Sequence, residues 1–235
     1  FNDIDLKANE AVNYLYENNF DENFLSRILS VGTIGLKKDR KLVPTRWSIV
    51  ATDDMIGKNL INEVKNFSEI NSYCSFFGNY LGNYYLILMF PEVWSYELFE
   101  TYVPPNWDYG SELRCTTDYE IYSGRKNYAE QTAGGYYTVR LAILEKLKEM
   151  KRQASVLALR FITDEYTMPL GVWVTREAAR KSINLNPIEF SSKELMLEYS
   201  RKLIKRNFNY NADYLLNASR LLKNIKQQAK LERFI

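Results

Sequence analysis

The sequence predicts a mixed sheet flanked by helices, of the α/β or α+β class, in one domain that ends in a helix and a short tail. Three observations carry this. Residues 72–78 and 83–90 are rich in aromatic and β-branched side chains and flank Gly82-Asn83, the pattern of a hairpin. After Gly134-Gly135 the chain puts Val139, Ile143, Leu144, Leu147 and Met150 on one side, with Arg140, Glu145, Lys148 and Glu149 elsewhere, as in a helix crossing a sheet. The continuous apolar run 154–162 that follows reads as a central strand. The choice between α/β and α+β stays open on this pattern.

The remaining elements follow in order. Two helices, 6–16 and 22–29, open the chain with Asp5 and Asp21 as N-caps. Residues 47–52 read as a buried strand, after which Asp53 caps a helix through Met55, Leu60, Ile61 and Val64. A third strand runs from Trp94 toward Val103 and stops at Pro104-Pro105. The Gly-, Ser-, Asp- and Tyr-rich stretch 106–128 reads as a long loop with a short strand near 118–122. A second central strand is expected at 172–174, then helices at 176–183 and 192–205, the latter opened by Ser191 or Ser192 with Glu194 in its first turn. The chain divides into a globular part at 1–208, a C-terminal helix at 209–225 and a tail at 226–235. Within that segment residues 211–225 are expected to form the helix and to pack Leu215, Ala218, Leu222 and Ile225 on the body.

Composition limits the chemistry. With 235 residues, 46% hydrophobic, the chain fills one large core, and it lacks the run of about 18 apolar residues that a membrane span requires. Cys74 and Cys115 lie far apart without spaced partners, which argues against a disulfide framework or zinc ribbon and for a reducing, cytoplasmic setting. The chain has no histidine, which excludes Ser/His/Asp and Cys/His nucleophiles and His-bearing zinc sites. Carboxylate, arginine, tyrosine and backbone chemistry remain; no cofactor is expected, except Mg or Mn, which take oxygen ligands, if the chain is an enzyme. The start at Phe1, without methionine or signal-peptide pattern, suggests a processed or excised piece. Residues 201–235 hold nine Lys or Arg against two acids, a net of +7, which leaves the rest 22 basic against 27 acidic, a net of −5. A basic end on an acidic body suits a polyanion, although a solvated helix face explains it equally.

Five stretches carry a family resemblance: KLVPTRWSIVATDD at 41–54, FPEVWSYELFE at 90–100, TDYE at 117–120, AGGYYTVRLAILEKL at 133–147 and RFITDEYTMPLGVWVTRE at 160–177. Together they span about residues 36–205 and resemble the archaeal Nre proteins, which are DNA repair factors. Family members also tend to carry an N-terminal module with a cysteine cluster, which this sequence lacks. The resemblance further implies a terminal peptide of form QxxLxxFF that binds the ring-shaped sliding clamp (PCNA), and this chain ends QAKLERFI. Gln228, Leu231, Phe234 and Ile235 take its first, fourth, seventh and eighth places. One 3₁₀ turn puts residues three apart on one side, so Leu231 and Phe234 would form a single plug. A helix end packing both back on the domain has the same spacing. Ile235 departs from the second aromatic, which points to modest affinity.

Asp53, Asp54, Glu97, Asp118 and Glu120 are candidate metal-holding or catalytic acids, the other reading being a helix cap and surface carboxylates. The sequence alone thus leaves open a metal- or arginine-dependent enzyme acting on nucleic acid or nucleotide. Arg46, Arg140, Arg160, Arg176 and Arg180 are candidate anion- or DNA-binding forks, or else partners of those acids. Gly134-Gly135 could present N–H groups to phosphate or form a tight turn. The tyrosines could stack on bases or fill the sheet, and Trp47, Trp94 and Trp173 read as core anchors.

Overall fold

A computed structural model describes residues 6–105, 114–167 and 170–227. Its centre is a six-stranded mixed sheet. The hairpin pairs β1 (Tyr73–Tyr80) with β2 (Asn83–Phe90) through a turn in which Leu81 and Gly82 both take positive φ, the left-handed pair a tight hairpin demands. β5 (Ser155–Ile162) lies between β2, to which it is antiparallel, and β3 (Ser95–Tyr102), to which it is parallel. β4 (Cys115–Glu120) closes one edge against β3, and the three-residue β6 (Ile188–Phe190) closes the other against β1. The order is therefore β4-β3-β5-β2-β1-β6, with one parallel pair. The sequence-based reading of a mixed sheet in a single domain holds.

Each face of the sheet is covered. On one side lie α1 (Ala8–Glu17), α2 (Glu22–Ser30), α3 (Thr45–Val64), α4 (Ala133–Met150) and α5 (Val172–Ile183), packed on Phe76, Tyr85, Ile87, Tyr96, Leu98 and Val156. On the other lie α6 (Lys193–Phe208), α7 (Asp213–Ala218) and α8 (Arg220–Gln227), packed on Leu86, Leu88, Phe99, Leu157 and Phe161. The run Leu86 to Phe90 is buried throughout, because both faces of β2 meet helices.

Several expectations are corrected. Residues 47–52 are not a strand but part of α3, which starts after Pro44. Their β-branched run misleads because α3 is packed by both α2 and α4, so that Ser48, Thr52 and Asp53 are buried with Val50 and Ile56 and no clean apolar stripe survives. Asp53 accordingly sits in mid-helix and caps nothing. Residues 172–174 likewise form the first turn of α5, entered through Gly171 at φ 84°, where glycine alone is unstrained. Trp94 is the expected anchor, fully buried, whereas Trp47 is 61% exposed and Trp173 37%. The expected helix 211–225 is broken at Ser219 into α7 and α8, and it packs through Leu215, Leu216, Leu221 and Leu222 while Ala218 is exposed. Asp21 does cap α2, accepting from the N–H groups of Asn23 and Phe24 at 2.9 Å, but Asp5 lies outside the described residues.

Candidate functional site

Several of the acids and arginines singled out above, Asp53, Asp54, Glu120, Arg140, Arg160 and Arg176, lie between the helix layer and the sheet. α3, α4 and α5 run alongside one another, as the matched contacts of Asp54 with Arg140, Glu63 with Lys148, Thr138 with Thr175 and Glu145 with Arg180 require. Arg140 on α4 holds Asp54 of α3 at 2.5 Å and Glu120 of β4 at 3.0 Å. Its side chain is 2% exposed and that of Glu120 0%, so the pair sits in a low-dielectric setting. Burial works against the guanidinium's charge, but Glu120, Tyr136 and Asp54 outweigh it and hold its pKa above the ordinary value. Arg176 on α5 reaches Asp53 at 2.5 Å and Glu22 at 3.2 Å, and Arg180 bridges Glu22 and Glu145 at 2.7 Å each. Burial pushes the Asp53 carboxyl up to about 7 against the pull of Arg176, and its Oδ2 has no hydrogen-bond partner. Arg160 on β5 forks to Asn83 on β2 and bonds Glu100 on β3 at 2.5 Å. Gly135 lies over this pair: a Cβ there would overlap the Glu100 carboxylate, so glycine lets α4 start directly against the sheet.

Asp118 does different work. It accepts from the N–H groups of Glu130, Gln131 and Thr132 at 3.2, 2.9 and 2.7 Å and from the Thr132 hydroxyl at 3.0 Å, and it pairs with Arg125 at 3.0 Å. It thereby fixes the loop that enters α4. Burial alone would raise its pKa, but the Thr132, Glu130 and Gln131 donors win and hold it below the usual carboxylate value. Such a group adds stability that is complete above the unfolded pKa and lost as pH falls through the folded one. Asp118→Asn should therefore be less stable than the parent at about pH 6, with the gap closing toward about pH 2 in urea titrations. A gap unchanged by acid would contradict this role.

Glu97 points to the opposite face. Its buried carboxylate accepts from the Ser219 hydroxyl at 2.5 Å and from the N–H groups of Arg220 and Leu221 at 3.0 Å, the first donors of α8. Burial pushes its pKa up against these donors. The Ser219 hydroxyl also accepts from the Leu222 N–H at 3.1 Å. Glu97 therefore clamps the last helix to β3.

The five candidate acids thus divide among four places: Asp53 on Arg176, Asp54 with Glu120 on Arg140, Asp118 on its loop, and Glu97 on α8. Among the described residues, no group of three or more Cys, Asp or Glu could hold a metal. Arg46 is exposed on the first turn of α3. Gln228, Leu231, Phe234 and Ile235 lie outside the described residues. Sequence reasoning missed Glu22, Arg125 and Glu145, whose partners are mostly distant in the chain, and it overlooked Ser219, an N-cap residue readable in advance.

Two family models cover almost all of the chain: archaeal Nre, N-terminal, over residues 1–108 and archaeal Nre, C-terminal, over 120–234. The chain belongs to the archaeal Nre family. Among its relatives, DNA repair protein NreB of Archaeoglobus fulgidus is 36% identical over 231 residues, 98% of this chain and 57% of the relative. DNA repair protein NreA of Haloferax volcanii is 39% identical over 181 residues, 76% of this chain and 43% of the relative. NreA of A. fulgidus is 37% identical over 188 residues, 80% of this chain and 48% of the relative. The chain spans about half the length of these curated relatives. No solved structure matches it. The two Nre halves are one fold rather than two, since β5 of the C-terminal half is inserted between β3 and β2 of the N-terminal half.

Proposed function

We propose that this Nre chain serves in DNA repair, as its relatives are named, and is brought to DNA by the sliding clamp (PCNA) through Gln228, Leu231, Phe234 and Ile235. The observation that carries this is the spacing of those four residues directly after α8, a helix fixed to the sheet by Glu97, Leu221 and Leu222. A peptide that leaves an anchored helix end reaches a ring on DNA with its carrier held close by. The ion pairs of Arg140, Arg160, Arg176 and Arg180 make the body a rigid carrier. On circular DNA immobilised on beads, the chain should be retained only when the clamp has been loaded, and deletion of residues 228–235 should abolish retention. Clamp-independent retention that survives the deletion would reject this reading.

DNA contact itself falls to the basic C-terminal part. Arg206, Lys223 and Lys226 are exposed on α6 and α8, which cover one face of the sheet. A chain cut at Ser200 would lose the buried Ile204, Phe208 and Leu215, so substitution is the sound test. Changing these three to Gln should lower the slope of log affinity against log salt by roughly 2 to 3. An unchanged slope would place the DNA contact elsewhere.

A further inference from the structure

Beside α8 the surface opens into a groove of about 390 Å³ between that helix and the end of β4. Leu221 and Ile225 line it from the helix, Ile121 and Tyr122 from the segment after β4, with the buried Trp94 between. The polar side chains of Ser95, Tyr119, Ser155 and Asn224 that line it are already paired. The Asn224 amide donates to the Tyr119 hydroxyl at 2.8 Å, the hydroxyls of Ser95 and Ser155 are 2.8 Å apart, and Ser155 also donates to the Val93 carbonyl at 2.7 Å. Apart from the exposed Ser123, what remains open to water is mainly apolar: Ile121 is 50% exposed and Tyr122 46%. Such a surface gains free energy when apolar side chains cover it and offers little to a charged ligand.

We infer that the groove is the docking place of the chain's own residues 228–235 in cis, and that the clamp must displace them. This rests on the clamp reading above. Ile225 lines the groove and α8 ends at Gln227, so the eight following residues start beside it. Extended, they reach about 27 Å, ample to fold back over a groove that begins one helical turn earlier. A tether this short sets an effective concentration on the order of millimolar, so a weak contact is populated. Leu231 and Phe234 cannot fill the groove and the clamp together. Binding to the clamp is then reduced by the fraction of chains whose tail is free.

A photo-reactive phenylalanine analogue at position 234 tests this without the clamp. The expected product is a cross-link within one chain, to residues 119–122 or 221–225, which Ile121→Glu removes. Against the clamp, a free peptide of residues 226–235 should bind about three- to tenfold more tightly than the whole chain, and Ile121→Glu should close that gap. Absence of the cross-link, a cross-link between two copies instead, or equal affinity of chain and peptide would overturn the inference. A free peptide that fails to bind the clamp would reject the clamp reading alone, because the cross-link still decides whether the groove is filled.

Discussion

Replacing Arg140 with Ala is expected to destabilise the fold by about 3 to 5 kcal/mol, measured by urea unfolding. The reason is the carboxylate left behind. Glu120 has no solvent exposure and takes a 3.0 Å ion pair from Arg140, so its removal strands a charge in a low-dielectric interior. Asp54 suffers less, being 23% exposed and paired with Lys58 at 2.7 Å. The Trp94 indole N–H also donates to Glu120 at 3.2 Å, which ties this carboxylate to the largest buried side chain. Arg140→Lys should recover only part of the loss, since one ammonium cannot fork between α3 and β4. The double variant Arg140→Met with Glu120→Met should be more stable than Arg140→Ala, because removing both charges removes the stranded one. A cost below about 1 kcal/mol for Arg140→Ala would mean that water screens the pair and that it does not hold the helix layer.

What could be read from the sequence follows the range of each interaction. The hairpin, β3, α4 and β5 were legible because their periodicities are local and their faces are uniformly covered. α3 was not, because burial on several sides erases the amphipathic stripe, and the polar residues that break it are explained by partners far away. Asp53 is buried for the sake of Arg176, which is 123 positions distant, and no local rule announces that pairing. Glu97 shows the same limit, since its donors at Ser219, Arg220 and Leu221 lie more than 120 positions on. β6 holds only three residues and exists through its pairing with β1. The sequence offers the arginines either as anion-binding forks or as partners of the acids, and which acid meets which arginine needs the fold. The proposal for the tail, by contrast, rests on a spacing of four side chains in the sequence, a pattern that needs no tertiary context.

The second large effect expected concerns that tail. Leu231 and Phe234 each bring about 1.5 to 3 kcal/mol of burial to a clamp pocket, from which the ordering of the peptide must be subtracted. With Ile235 in place of a second aromatic, the net is modest affinity, carried mainly by Phe234 as the largest side chain inserted. Gln228 adds hydrogen bonds that water also supplies, so Gln228→Ala should weaken binding by less. Gln228→Ala should leave unfolding of the domain unaltered, its described core ending with Leu222 and the half-buried Ile225 of α8, while Phe234→Ala should lower stability only by the weak contact the tail makes in cis.

Calorimetric titration of the chain and its Phe234→Ala variant into the clamp of the same organism addresses the central claim most directly. The parent should bind with one site per clamp subunit, and the variant should bind about tenfold more weakly or not at all, while still unfolding in one cooperative urea transition. Equal binding by the two proteins, or no binding by the parent and by the free tail peptide, would contradict recruitment through Gln228, Leu231, Phe234 and Ile235.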